Sequence, residues 1–372
     1  MRVTVVGGGL AGAAAALRLA RAGEPVRLFE REAAPRHKIC GEFLSGEACA
    51  MLESAGIDLA RLGAAPIGRL RLVAGGRTAE AALPFRAVGL TRRRLDAALL
   101  DAAAAAGARV QRGVTVRAFE GGELRTDVGA IAPGTLLLAS GKHEVRGARR
   151  DTAGCRDGDV GFKSYWRLAP GAAAALAGHI EVILFAGGYA GLQMVEGGVA
   201  NLCLLVTRER LAAAGGDWPA LLAWLLRQPH LARRLDDAEP LLDKPLTIAG
   251  VPYGYRPARV AADERCYRLG DQAAVIPSFC GDGMAIALHS ARLAAEAVLA
   301  AAPPATYHRR LAADLEGQFR WAAALQRIGD HPPLWPPALA LLARAPALLA
   351  AFARATRLPA RALTTAQPRR AV

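Results

Sequence analysis

The chain has 372 residues, 53% of them hydrophobic, and a formal net charge of +14, enough for about two domains and a sizeable core. Only four residues are lysine (Lys38, Lys142, Lys163 and Lys244) and the excess arginine is scattered rather than gathered in a tail, so the charge, with no recognised module beside it, does not read as nucleic-acid binding. Six cysteines without a C-x-x-C pair and seven histidines without ligand spacing argue against a metal site or a disulfide scaffold.

The first 30 residues, "MRVTVVGGGLAGAAAALRLARAGEPVRLFE", predict a strand over Arg2 to Val6, a glycine turn, an Ala/Leu helix ending at Gly23 and a second strand over Val26 to Phe29. Gly7, Gly9 and Gly12 form G-x-G-x-x-G: a tight turn, close approach to a pyrophosphate, and close helix-on-strand packing. Glu30, 18 positions beyond Gly12, is placed to take ribose hydroxyls. The unit predicts a Rossmann-like dinucleotide-binding domain. The start lacks the charged and apolar regions of a secretory signal, so a cytoplasmic location is expected.

A polar loop, "REAAPRHKICGEFLSGEA", follows, then a helix near Ala48 to Ala55 and alternating segments at Leu70 to Val73 and Ala79 to Leu83. A helix is predicted over Arg92 to Ala106, and strands over Arg109 to Gln111, Val114 to Phe119 and Thr135 to Ala139. Between Gly161 and Thr207 the pattern is mostly strand and predicts one antiparallel sheet, with helices near Trp218 to Arg227 and His230 to Asp236. Strands over Ala258 to Leu269 end at Gly270-Asp271. "IPSFCGDGMAIALHSARLAAEAV" then places Gly281 and Gly283 where an Ala-rich helix begins, offering free N–H groups to something electron-rich. Asp282 reads alternatively as a plain helix cap.

The predicted fold is therefore α/β: a nucleotide-binding domain first part over 1–157 with a short sheet excursion near 67–88, an inserted sheet-rich substrate domain over 158–256, a return over 257–302, and a helical C-terminal region over 303–372. A nicotinamide dehydrogenase would add further βα units directly after Glu30, whereas here the second glycine loop comes late. "AGGYAG" at Ala186 to Gly191 sits between strands with no helix after it, so a second complete fingerprint for NAD(P)H is missing.

With "HKICGEFLS", "TRRRLDAALL" and "LGDQAAVIPSFCGDGMAIAL" in this order after the fingerprint, the chain resembles the FAD-dependent oxidoreductase superfamily that holds the group A aromatic hydroxylases and the geranylgeranyl reductases, over about Met1 to Ala300. The resemblance implies FAD as cofactor, with NAD(P)H as a transient reductant. It places Ala11 over the pyrophosphate, Arg31 beside Glu30, Cys40 and Gly41 at the flavin, Arg92 on the FAD, and Val116 at the adenine. It also places Gly270 and Asp271 by the ribityl chain or pyrophosphate, and Gly281, Gly283 and Met284 at the flavin ring. Cys40 is either a redox participant or a chemically idle thiol. Ser140-Gly141 replaces the Asp-Gly pair of many hydroxylases, which leaves their mode of nicotinamide docking in doubt, and the halogenases' W-x-W-x-I-P is absent.

The expected activity is NAD(P)H-dependent monooxygenation of a hydrophobic aromatic or polyketide-like small molecule; the alternatives are C=C reduction of a polyene or prenyl chain and electron carriage without catalysis. No catalytic side chain is identified, because the flavin carries the hard chemistry. Phe162, Tyr165, Trp166, Phe185, Tyr189 and Met194 are candidates for an apolar pocket, and His179, His230 and His289 for general bases. In the C-terminal region the apolar stretch Pro332 to Phe352 is interrupted by Arg344 and prolines and falls short of the roughly 20 clean residues of a span. It predicts either a helix packed across the substrate domain or peripheral membrane contact.

Overall fold

The structure is a computed structural model and describes residues 3–256, 265–359 and 362. The glycine-rich start folds as Val3–Val6 (β1), Leu10–Arg21 (α1) and Val26–Glu30 (β2). Next come Phe43–Leu44 (β3), Gly46–Ser54 (α2) and a long hairpin, Ala65–Ala74 (β4) and Arg77–Gly89 (β5), turned at Gly75 and Gly76, both with positive φ. Arg92–Ala105 (α3) starts on the Thr91 hydroxyl, which caps the Arg94 N–H. The strands Arg109–Arg112 (β6), Val116–Glu120 (β7), Glu123–Thr126 (β8), Gly129–Ile131 (β9) and Thr135–Leu138 (β10) follow.

The middle of the chain is Asp159–Arg167 (β11), Pro170–Leu176 (α4), Gly178–Phe185 (β12), Gly188–Met194 (β13) and Ala200–Thr207 (β14). Helices Arg208–Ala213 (α5), Trp218–Leu225 (α6) and Pro229–Leu235 (α7), and strands Glu239–Pro240 (β15) and Leu246–Ala249 (β16), complete it. The last part holds Cys266–Arg268 (β17), Gly283–Leu299 (α8), Pro304–Gly329 (α9), Trp335–Arg344 (α10) and Pro346–Ala355 (α11). Of the strand expected over 258–269, residues 258–264 lie outside the described residues.

Five strands, in the order β17-β10-β1-β2-β6, form an all-parallel sheet, with Val3 opposite both Val26 and Thr135. Helices α1, α3 and α8 pack together against it, and their buried Ala and Leu faces make the largest core. The second glycine loop thus returns to the same sheet as the first, because β17 pairs with β10.

The excursion and the insertion are not separate sheets. Strand β12 pairs parallel with β4, joining β15-β11-β14-β13-β12-β4-β5-β3, with β16 also on β11, into one nine-stranded mixed sheet. That parallel pairing corrects the expectation of a purely antiparallel insertion. Strands β7, β8 and β9 form a third, small sheet, of which only the first strand is predicted from the sequence.

The large sheet has two faces. On the outer face Phe162 stacks on Trp218 at 5.6 Å and Phe185 meets Trp224 edge-on at 5.5 Å, closing a core with Trp166, Met194 and helices α6 and α7. Helices α10 and α11 lie across β4 and β5, where Leu342 and Leu349 bury against Ala79 and Ala81. Helical packing across the sheet is therefore the observed state of this region.

Under α7 the Glu181 carboxylate is fully buried and held by His230 at 2.7 Å, Arg234 at 2.6 Å and Arg71 at 2.5 Å. Burial alone would raise its pKa, but the His230 and Arg234 contacts win and hold it near 2, below its ordinary 4.5. A depressed carboxylate stabilises the fold above its unfolded pKa and loses that contribution as pH falls through the folded one. The acid limb of wild-type stability between pH 4.5 and about 2 is therefore expected to flatten in Glu181→Gln, as chemical denaturation across that window would measure.

Candidate functional site

One cavity of about 1000 Å³ lies between the parallel sheet and the inner face of the large sheet. Small-molecule sites usually occupy about 300–1,000 Å³, so this one has room for a dinucleotide-sized ligand.

Two helices aim their starts at it. Helix α1 begins at Gly9 and α8 at Asp282, and neither receives a side-chain cap. The first-turn N–H groups of each have no partner within the helix and carry the positive end of the dipole. Asp282 is therefore not the cap that the loop sequence suggested.

The turns are built by sterics. Gly7 has φ +101 and a Cβ there would lie 2.3 Å from the Ala139 carbonyl oxygen; one on Gly12 would lie 1.9 Å from the Gly7 oxygen. Gly281, at φ +68, precedes α8. A Cβ on Gly41 or Gly283 would meet nothing within 4 Å, so these positions leave an open cradle. Fourteen of the fifteen candidate cofactor residues line the cavity: Gly7, Gly9, Ala11, Glu30, Arg31, Cys40, Gly41, Arg92, Val116, Gly270, Asp271, Gly281, Gly283 and Met284. Gly12 does not, because it packs α1 onto the Gly7 turn.

Glu30 is buried, and its carboxylate accepts the Gly8 N–H at 2.7 Å and the Glu32 N–H at 2.9 Å, which fixes it with lone pairs to spare for hydroxyl donors. Arg92 is held in a bidentate pair by Asp96 at 2.8 and 3.0 Å, and Lys38 joins the same carboxylate at 2.8 Å. The buried Asp96 keeps its pKa below normal because the Arg92 and Lys38 charges outweigh burial.

Residues 37–42 cross the cavity, and side chains from elsewhere hold their carbonyls. Lys163 donates to the Lys38 oxygen at 3.0 Å, Lys142 to the Ile39 oxygen at 3.0 Å, and Asn201 to the Gly41 oxygen at 2.8 Å. Glu42, with φ +60, is wholly buried and takes the Arg92 N–H at 2.8 Å, the Tyr165 hydroxyl at 2.9 Å and the Lys163 ammonium at 2.6 Å. A side chain in that left-handed region costs roughly 1–3 kcal/mol and persists only where its surroundings dictate it.

Since the Tyr165 hydroxyl donates to Glu42, the His37 Nδ1–H at 2.9 Å donates to Tyr165 and leaves Nε2 as the acceptor. Burial, then the Lys163 and Arg93 charges, push His37 down to about 4, so the imidazole is neutral at neutral pH.

Several cavity residues carry chemistry that the sequence reading did not single out: His37, Lys142, His143, Tyr253 and Ser278. His37 stands inside the quoted "HKICGEFLS" stretch. Ser278 hydrogen-bonds the Tyr189 hydroxyl.

Of the aromatic and Met pocket candidates, Tyr165 and Tyr189 face the cavity side. Phe162, Trp166, Phe185 and Met194 belong to the outer-face core instead, because side chains alternate along a strand. The proposed bases also lie elsewhere: His179 pairs with Arg71 and Glu80, His230 with Glu181, and the fully buried His289 with Asp314. Among the described residues no group of His, Cys, Asp or Glu could hold a metal ion.

Comparisons with known proteins agree with this geometry. Residues 1–131 match a family described as an FAD binding domain. No curated protein matches the chain by sequence. The flavin-dependent brominase Bmp2 superposes with a TM-score of 0.76 at 17% identity, covering 96% of this chain and 93% of that one. The myxobacterial chondrochloren halogenase CndH gives 0.70 at 22%, covering 86% and 80%. A variant of the halogenase PltM in complex with FAD gives 0.74 at 13%, covering 90% and 78%. The fold is shared with these flavin-dependent enzymes, and FAD is the cofactor that the match over residues 1–131 supports.

Lys163→Met would leave the Glu42 carboxylate buried without its cation, an uncompensated charge that costs about 3–5 kcal/mol. The expected outcome is a marked drop in Tm by calorimetry, with part of the loss recovered in Glu42→Gln/Lys163→Met.

Proposed function

We propose that the chain is a flavin-dependent monooxygenase that takes electrons from NAD(P)H and oxidises a hydrophobic aromatic or polyketide-like small molecule. The observation that carries this reading is one continuous cavity, which runs from the glycine turns and Glu30 to a wall of Leu246, Ile248, Tyr253, Val275 and Ser278. One end suits a nucleotide; the other suits an apolar molecule with a few polar groups.

The residues fit FAD. Gly7, Gly9, Ala11 and the α1 start would take the pyrophosphate, with Glu30 on the ribose and Arg31 and Val116 toward the adenosine end. Arg92, Cys40, Gly41, Gly270 and Asp271 would border the middle of the cofactor, and Gly281, Gly283 and Met284 its ring. When bound, FAD supplies the redox chemistry.

The chain's own residues bind, orient and move protons. Lys142, tied to the Ile39 carbonyl and 3.9 Å from Asp271, sets a cation beside the cavity. The hydroxyls of Ser278 and Tyr253 offer hydrogen bonds to a substrate oxygen. The neutral His37, backed by Tyr165 and Glu42, provides a proton-accepting group at the wall. The Ser278 and Tyr253 hydroxyls at the same wall favour the second reading, C=C reduction, which needs a proton donor for the carbon that does not take the hydride.

Incubating purified holoenzyme with NAD(P)H, oxygen, bromide or chloride, and candidate substrates discriminates by product mass. One added oxygen is the expected result. Two added hydrogens without oxygen consumption point to reduction, an added halogen to the chemistry named for Bmp2, PltM and CndH, and no product to an electron carrier. Colourless protein that refuses FAD sinks all four.

The C-terminal helices support peripheral contact with an anionic lipid surface. Trp321, Ile328, Leu334, Leu341 and Leu348 are exposed there, and residues 331–372 contain six arginines and no aspartate or glutamate. Among the described residues no single helix is long and apolar enough to cross a membrane. Co-sedimentation with anionic vesicles but not with neutral ones is expected, and weakened in Trp321→Glu/Leu348→Glu; equal recovery with both lipids would remove this reading.

A further inference from the structure

The loop that starts α8 is held by the far end of the chain. The Arg357 guanidinium donates to the Asp282 carboxylate at 2.8 Å and to the Cys280 carbonyl, across 75 positions of sequence. Gln318 of α9 donates to the other Asp282 oxygen, and at 2.8 Å to the Thr356 carbonyl. Asp282 is wholly buried and Arg357 is 7% exposed, with its guanidinium over the Phe85 ring at 5.5 Å. Gly281 and Gly283, on either side of Asp282, line the cavity.

This arrangement is not a cap. Asp282 turns its charge away from the α8 N–H groups and spends it on Arg357 and Gln318. The helix start therefore keeps its donors for a ligand, while a full negative charge sits one residue from them. Alone, that carboxylate would oppose any ligand gaining negative charge at the loop; the guanidinium cancels it. Burial raises Asp282 to about 6 even with Arg357 beside it, which agrees with a charge that depends on its partner.

We propose that Arg357 is a positioning residue of the cofactor site: by holding Asp282 and the Cys280 carbonyl it fixes the loop that faces the flavin ring and neutralises the carboxylate within that loop. The proposal rests on FAD occupying the cavity. Electron uptake builds negative charge on the flavin, so the pair sets how readily the bound cofactor is reduced.

The flavin midpoint potential and the FAD dissociation constant, measured at alkaline pH so that Asp282 stays ionised, test it. Arg357→Met leaves a bare carboxylate and is expected to lower the potential and raise the FAD dissociation constant about tenfold or more. Asp282→Asn leaves an unpaired cation and is expected to raise the potential. The double variant returns it close to wild type, and Arg357→Lys holds it there. A purely structural contact would shift both single variants the same way, and that result overturns the proposal. So does a wild-type potential in folded Arg357→Met. Should that variant fail to fold, Asp282→Asn decides alone: a raised potential supports the assignment and an unchanged one refutes it. Wild-type protein that binds no FAD would instead overturn the cofactor reading, and this proposal with it.

Discussion

Everything in the site depends on two helix starts kept free of side-chain caps. A helix N-terminus ordinarily recruits Ser, Thr, Asp or Asn to satisfy its first N–H groups. Here α1 starts at a glycine, and the acid available to α8 is drawn off by Arg357. Both sets of donors stay available on one cavity because α1 and α8 pack against each other on the same parallel sheet. The glycine turns are the steric condition for this, since no side chain fits between Gly7 and Ala139 or between Gly12 and Gly7.

The large sheet supplies the opposite wall by using its two faces differently. Its outer face is a closed aromatic and aliphatic core under α6 and α7. Its inner face presents Lys163, Tyr165 and Asn201, which do not bind one another so much as hold residues 38–42 in place. The crossing segment is therefore rigid without regular secondary structure of its own. Its strain at Glu42 is balanced by a buried ion pair and two further hydrogen bonds.

How much of this could be read from the sequence follows from the range of each interaction. The first βαβ unit and the glycine loop before α8 are local patterns, in which turn, strand and helix lie within a few residues, and their glycines come together as expected. Strand β11 was harder: residues 159–166 are all buried, so alternation gives no clue to which side faces the cavity, and Phe162 and Tyr165 look alike in the sequence. The Tyr165–Glu42 contact spans 123 positions and the Arg357–Asp282 pair 75; Glu42 and Asp282 stand in quoted motifs, but no motif marks Tyr165 or Arg357 as their partners. The β12–β4 pairing is equally non-local. His37 was legible in principle, since it sits two residues before Ile39 in the crossing loop, but its role depends on Tyr165 arriving from the sheet.

The order of strands in the parallel sheet also bears on how the protein is made. Strands β1, β2 and β6 leave the ribosome early, yet β17 and the loop before α8 come only after residue 265, and the arginine that pins that loop lies at 357. Because chains are made at about 5–20 residues per second and fold from the N-terminus onward, a nascent polypeptide spends many seconds with half a cradle. The cradle is therefore completed only after the chain has been made as far as residue 357, and until then the inner wall of the cavity stays open.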